Sequence, residues 1–256
     1  MRGWGSLNTF QPYTQKHAIV LIVTAAAIAF VCVAATLLSE RARRRCEKLA
    51  GVVLLLVWFI GAAWDVCQPG ASIRSVLPLH WCDLTGILAG VVLLWPRDDT
   101  RAALHLWGLC FTAIAFVAPV ENRGPAFGGF WAYFVPHGAI LLAVAYDAFV
   151  RGYRPAIGDL RQVGATTLAW VAAVTPFNVL VGGNYAYVGN AVIGQRTLIE
   201  AFGPWPGRIA TLYLTSLTLM TLIVLVQHVL RRPSVAPLTL RLSGADAEEP
   251  SFRLAA

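Results

Sequence analysis

Seven apolar stretches decide what this chain can fold into. They cover about residues 18–38, 49–66, 79–95, 102–120, 130–150, 162–181 and 209–230. Crossing about 30 Å of hydrocarbon takes roughly 20 helical residues. Backbone exposed to lipid must satisfy its own polar groups, so each stretch is expected to be a helix. With 57% hydrophobic and 13% charged residues, the 256-residue chain is no ordinary soluble domain. The expected fold is all-α: a polytopic membrane bundle of seven transmembrane helices.

Charge sets the expected orientation. With the N-terminus outside, the outer segments hold only Arg2, Lys16, Arg74, Arg123, Arg196 and Arg208. The inner segments hold the other 14 of the 20 basic residues. The positive-inside rule therefore favours N-outside and C-inside. Residues 1–16 form an outer segment, 17–230 the membrane domain and 231–256 a polar inner tail expected to be disordered. Residues 1–16 lack the charged start of a cleaved signal peptide. The densest basic run, Arg41 to Arg45, sits between the first two stretches. Its spacing suits topology and lipid contact rather than nucleic acid, which is excluded as a partner. The expected location is the cell membrane, with several passes.

Polar residues inside the stretches gather toward the outer side. Pro78 suits the first turn of helix three, where its missing N–H costs nothing. Cys82, Gly86 and Gly90 share one stripe of that helix, and the glycines invite a neighbouring helix. Cys82 is thus expected to face protein. His137 follows Pro136 in helix five, where local irregularity is expected near 133–136. Asn178 closes helix six, and Asn184-Tyr185 opens an outer loop after Gly182-Gly183. A disulfide between Cys67 and Cys82 is open to an oxidising compartment.

A thiol, an imidazole and an amide from three helices therefore fall at similar depth. Intramembrane polar residues default to a functional reading. Cys82 near a helix start could be a nucleophile. His137 could take its proton, and Asn178 could orient the imidazole. The plain reading stays beside this one: Cys82 as packing, His137 and Asn178 as interhelical glue. His80 is a rival base: on a helix it points away from Cys82, but in an extended entry segment it could reach. Asp83 either caps the helix or tunes a histidine. Asn184, Tyr185 or backbone N–H groups at the start of helix three could stabilise an oxyanion. A metal held by His80, Cys82 and His137 is a lesser reading. A transporter or ligand-binding heptahelical protein would use the same pocket without covalent chemistry.

Four segments carry a resemblance. They are Leu77-Pro78-Leu79-His80-Trp81-Cys82-Asp83, Pro136-His137-Gly138, Phe177-Asn178-Val179-Leu180-Val181-Gly182-Gly183-Asn184-Tyr185 and Gly203-Pro204-Trp205-Pro206. From about residue 45 to 230 the chain resembles the YwaF-like bacterial members of the transmembrane protein 164 family. The resemblance implies seven helices and a cysteine-dependent, coenzyme-A-independent acyltransferase that moves acyl chains between phospholipids and lysophospholipids. It implies Cys82 as nucleophile and His137 as base, with no cofactor. Gly207 after Pro206 departs from the bacterial pattern, which tends to an aromatic there.

Overall fold

The computed structural model describes residues 7–190 and 198–229. The tail 231–256 and the cations Arg2 and Arg196 lie outside the described residues. Among the described residues there is no β-strand, and seven helical rods form the bundle. They are α1 (Gln15–Leu37), α2 (Glu40–Cys67), α3 (Trp81–Leu94), α4 (Asp98–Val117), α5 (Gly128–Phe149), α6 (Ile157–Val181) and α7 (Arg208–Val229). Six are long and apolar enough to cross a membrane, and α3 is shorter.

The helices extend further than hydropathy alone suggests. α2 begins at Glu40, so Arg41 to Arg45 form its first turns rather than a loop. Ser39 explains the start: its side chain accepts from Ala42 N at 3.3 Å. Pro136 sits inside an unbroken α5, contrary to the expected irregularity. Its cost is one missing donor, the N–H that would have met the Ala132 carbonyl. A π-helical turn, Gly108–Thr112, interrupts α4 instead. Gly108 leaves room there for Val144 of α5, which an added Cβ would meet at 2.5 Å.

The shortness of α3 positions the site. Fourteen residues rise about 21 Å, roughly 9 Å less than the hydrocarbon core. Its end at Leu94 is joined by three residues to α4, whose first turn carries Asp98 and Asp99. With that charged junction at one membrane boundary, as the charge-derived orientation expects for the inner one, the start of α3 would lie recessed from the other. The helix begins late because Pro78 and His80 hold the chain extended; His80 has φ −77° and ψ 158°. The Asp83 carboxylate then accepts His80 N at 2.9 Å and caps the helix.

α3 lies tightly on α2. A Cβ at Gly90 would meet the Gly51 carbonyl oxygen at 2.9 Å, and one at Gly86 would meet the Trp58 ring at 2.0 Å. The predicted glycine stripe thus finds its neighbour in α2. At the inner end a buried ionic cluster ties four helices. Arg151 contacts Glu47 at 2.8 Å and the Leu93 carbonyl at 3.1 Å, and Arg101 contacts Asp147 at 3.0 Å. Tyr146 donates to Glu47 at 2.6 Å. At the outer end residues 7–10 pair with the α4–α5 connection, where Phe10 N donates to Asn122 O at 2.8 Å. Phe10 is buried among Phe116, Phe130 and Phe134 rather than lying at the interface.

Candidate functional site

The site is framed by the α6–α7 connection. α6 stops at Gly182, whose φ of +68° is a left-handed cap that favours glycine. The chain then folds back onto Asn178, which is 1% exposed. Asn178 Nδ2 donates to Tyr185 O at 2.9 Å, and Tyr185 N donates to Asn178 Oδ1 at 2.8 Å. The Tyr185 hydroxyl donates to Ile73 O at 2.7 Å and accepts from Leu77 N at 3.0 Å. One tyrosine therefore locks the α2–α3 connection to the α6–α7 connection. Asn184 Oδ1 accepts Gly189 N at 3.0 Å and closes the loop on itself.

Cys82 stands in the first turn of α3 beneath this frame, partly buried. Its sulfur lies 4.0 Å from Asp83 Oδ1. All five cysteines are free, so Cys82 is not bonded to Cys67. His80 packs against Tyr185 and Tyr187, with ring centroids 5.4 and 5.5 Å away. Tyr187 is close enough to Cys82 and Asp83 to feel their charge: burial first, then those two groups, push its phenol up. Tyr133 of α5 interacts with both Cys82 and Tyr187. His137 stacks one turn along from Tyr133, with centroids 4.7 Å apart. Its Nδ1 lies 2.6 Å from Tyr133 O. A carbonyl only accepts, so Nδ1 carries the proton and Nε2 keeps the lone pair. Among the described residues no hydrogen bond joins His137 to Cys82, and no cluster of His, Cys, Asp and Glu could hold a metal ion.

The family model described as the TMEM164 family matches residues 12–226, most of the chain. The chain belongs to the TMEM164 family. Neither a curated protein nor a solved structure matches it.

Within this TMEM164-family bundle, several sequence expectations change. His80 precedes the helix in an extended conformation, so the helical spacing that pointed it away from Cys82 does not apply. Asn178 does not orient an imidazole: both ends of its amide are held by Tyr185, and the Tyr133 carbonyl holds His137. The Tyr185 phenol is committed to Ile73 and Leu77, leaving it no free donor for an oxyanion.

Two residues escaped the sequence reading. Tyr133 precedes His137 by four, a spacing that puts them on one helix face and could have revealed the pair. Tyr187 gave no such signal. It lies in the left-handed region at φ 63°, next to Ala186 at φ 52°. Such conformations cost about 1–3 kcal/mol each and persist where the surroundings impose them. Here the Asn178–Tyr185 clamp and the Trp205 Nε1 to Val188 O bond at 3.0 Å flank the pair.

Proposed function

We propose that this chain is a cell-membrane acyl-transfer enzyme acting on phospholipids near the outer boundary of the bilayer. The reading is supported by one observation: the Cys82 thiol at the start of α3 has His80 two residues before it, packed on Tyr187, and lies within electrostatic range of Tyr187 and Tyr133, against which His137 stacks. An ester at the glycerol backbone of a lipid lies just below the headgroups, at the depth expected for that helix start. The Cys82 sulfur attacks the ester carbonyl while its proton passes to the base. The C–O bond of the collapsing tetrahedral adduct breaks, and the proton returns to the leaving alkoxide as a lysophospholipid departs. The acyl chain stays on sulfur as a thioester. The hydroxyl of a second lysophospholipid then attacks the thioester and its proton returns to the thiolate; water in that role would make the enzyme a hydrolase.

His137 is the base in this scheme, because its Nδ1–H···O bond leaves Nε2 to accept a proton. Tyr187 supplies a hydroxyl donor toward the developing oxyanion, whereas the Tyr133 hydroxyl donates to Ala115 O at 3.3 Å. His137→Ala is expected to slow thioester formation by about 10²- to 10⁴-fold, the usual contribution of a general base. The measurement is single-turnover labelling by a phospholipid with a fluorescent acyl chain, read on purified protein after denaturing electrophoresis. A His137→Ala protein that labels at the normal rate refutes the base assignment. A comparable loss in His80→Ala alone transfers the role to His80.

A further inference from the structure

Arg208 is a buried cation that no described acid balances. It opens α7 at the outer end and is 4% exposed. One guanidinium nitrogen donates to the Gly189 carbonyl. Its Nε is buried and has no hydrogen-bond partner. Among the described residues no carboxylate forms an ion pair with it, whereas the partly buried Arg151 sits between Glu47 and Asp147. Isolated charges in such surroundings are costly and are normally paired. The backbone of this helix start adds no vacant donor at Arg208, Ile209 or Ala210. Their N–H groups go to Pro204, Pro206 and Gly207 oxygens at 2.9, 3.0 and 3.1 Å. The unfilled capacity therefore belongs to the guanidinium itself.

We infer that Arg208 binds the phosphate of a lipid headgroup or a free phosphate. A guanidinium matches phosphate oxygens geometrically and stays charged throughout the working pH range. The position fits a headgroup. Gly189, the residue Arg208 holds, is two residues from Tyr187, which faces Cys82. A phosphate at Arg208 would sit on the same loop that roofs the thiol, with the ester reaching inward from it. This assignment rests on the acyl-transfer reading for the identity of the lipid, not for the presence of the anion site. It also gives the Gly203-Pro204-Trp205-Pro206 segment a purpose: Trp205 grips Val188 while Pro204 and Pro206 occupy the first N–H groups of α7, leaving the arginine side chain to select the anion.

The test uses the full chain in neutral detergent, on a Cys82→Ala background so that no chemistry intervenes. Dissociation constants are measured below micelle-forming concentration for a fluorescent lysophospholipid and for the monoacylglycerol with the same chain. Inorganic phosphate is added as a competitor in a separate arm. The lysophospholipid is expected to bind about tenfold tighter than the monoacylglycerol, and Arg208→Gln to remove that preference. Arg208→Lys, which keeps the charge, should retain part of it and serves if the Gln variant does not fold. Competition by inorganic phosphate at millimolar concentration assigns the site to phosphate in general, and its failure assigns the site to a lipid-borne group. Equal binding of the two lipids without competition by phosphate, or a preference that survives Arg208→Gln, overturns the inference. Thioester labelling of the Cys82-containing protein separates the two claims. Labelling intact with no phosphate preference removes only the Arg208 site, and the reverse removes only the acyl-transfer reading.

Discussion

Asn178→Ala isolates the clamp that holds the roof of the site. The substitution deletes both Asn178 bonds to the backbone of Tyr185, a fully buried residue. Tyr185 N–H is left without a partner, while its C=O keeps only the Val188 N–H at 3.3 Å. The unsatisfied N–H costs about 1–3 kcal/mol and the lost bond to the carbonyl about 0.5–1.5 kcal/mol, roughly 1.5–4.5 kcal/mol together. Asn184→Ala is the internal comparison. It removes the single bond to Gly189 N and should cost about 0.5–1.5 kcal/mol. Equilibrium unfolding in mixed detergent micelles measures both, and hydrogen exchange at the Tyr185 amide reports the local opening. The Asn178→Ala protein should show the larger loss, faster exchange at Tyr185 and slower thioester formation, since the loop that carries Tyr187 is then no longer clamped. A loss below about 1 kcal/mol, or a Tyr185 amide as protected as in the parent, refutes the reasoning, because it places Asn178 outside the support of the loop.

Other outcomes follow from the same structure. Gly90→Ala should part α2 from α3, because the new methyl would stand 2.9 Å from the Gly51 carbonyl; a lowered unfolding midpoint with intact helicity checks it. Asp147→Asn should destabilise the protein by about 3–5 kcal/mol, since it strips a buried partner from Arg101, and the same unfolding titration reads the loss. The connection around Glu121 should loosen in acid. Its side-chain hydrogen bonds with Arg123 hold the Glu121 carboxyl below the usual carboxylate range. A depressed folded value means that the stabilisation is complete above the ordinary value of about 4.3 and is lost as pH falls through the folded one. Hydrogen exchange at Phe10 N, bonded to Asn122 O, should accelerate over that acidic window, and Arg123→Ala should weaken the pH dependence, leaving the part that the Asn122 and residue-123 backbone N–H bonds supply.

The bundle was legible because lipid imposes a simple rule: apolar runs of spanning length become helices. The α2–α3 contact was legible from Gly86 and Gly90, since only a close neighbour requires that spacing. Other features depend on contacts between distant parts of the chain. Hydropathy sees Arg41 to Arg45 as a boundary, but Ser39 caps a helix that already includes them. The sequence left His80 either on the helix or in an extended entry segment, and Pro78 with the Asp83 cap selects the extended one. Asn178 was identified as a supporting residue but given the wrong partner. Its partner, the Tyr185 backbone, meets it only when the loop turns back at Gly182. Arg208 looked like an ordinary interfacial cation until its burial and its unpartnered Nε were seen together.

The most direct test of acyl transfer is the mass of the protein itself. Purified chain is mixed with a phospholipid bearing a single defined acyl chain, quenched in acid and weighed intact, then digested to locate the adduct. The account predicts one added acyl group on the peptide containing Cys82, released by neutral hydroxylamine, discharged by added lysophospholipid and absent from Cys82→Ala. An unmodified Cys82 in a folded protein exposed to lipid throughout the time course, or an equal acyl adduct on Cys82→Ala, contradicts it.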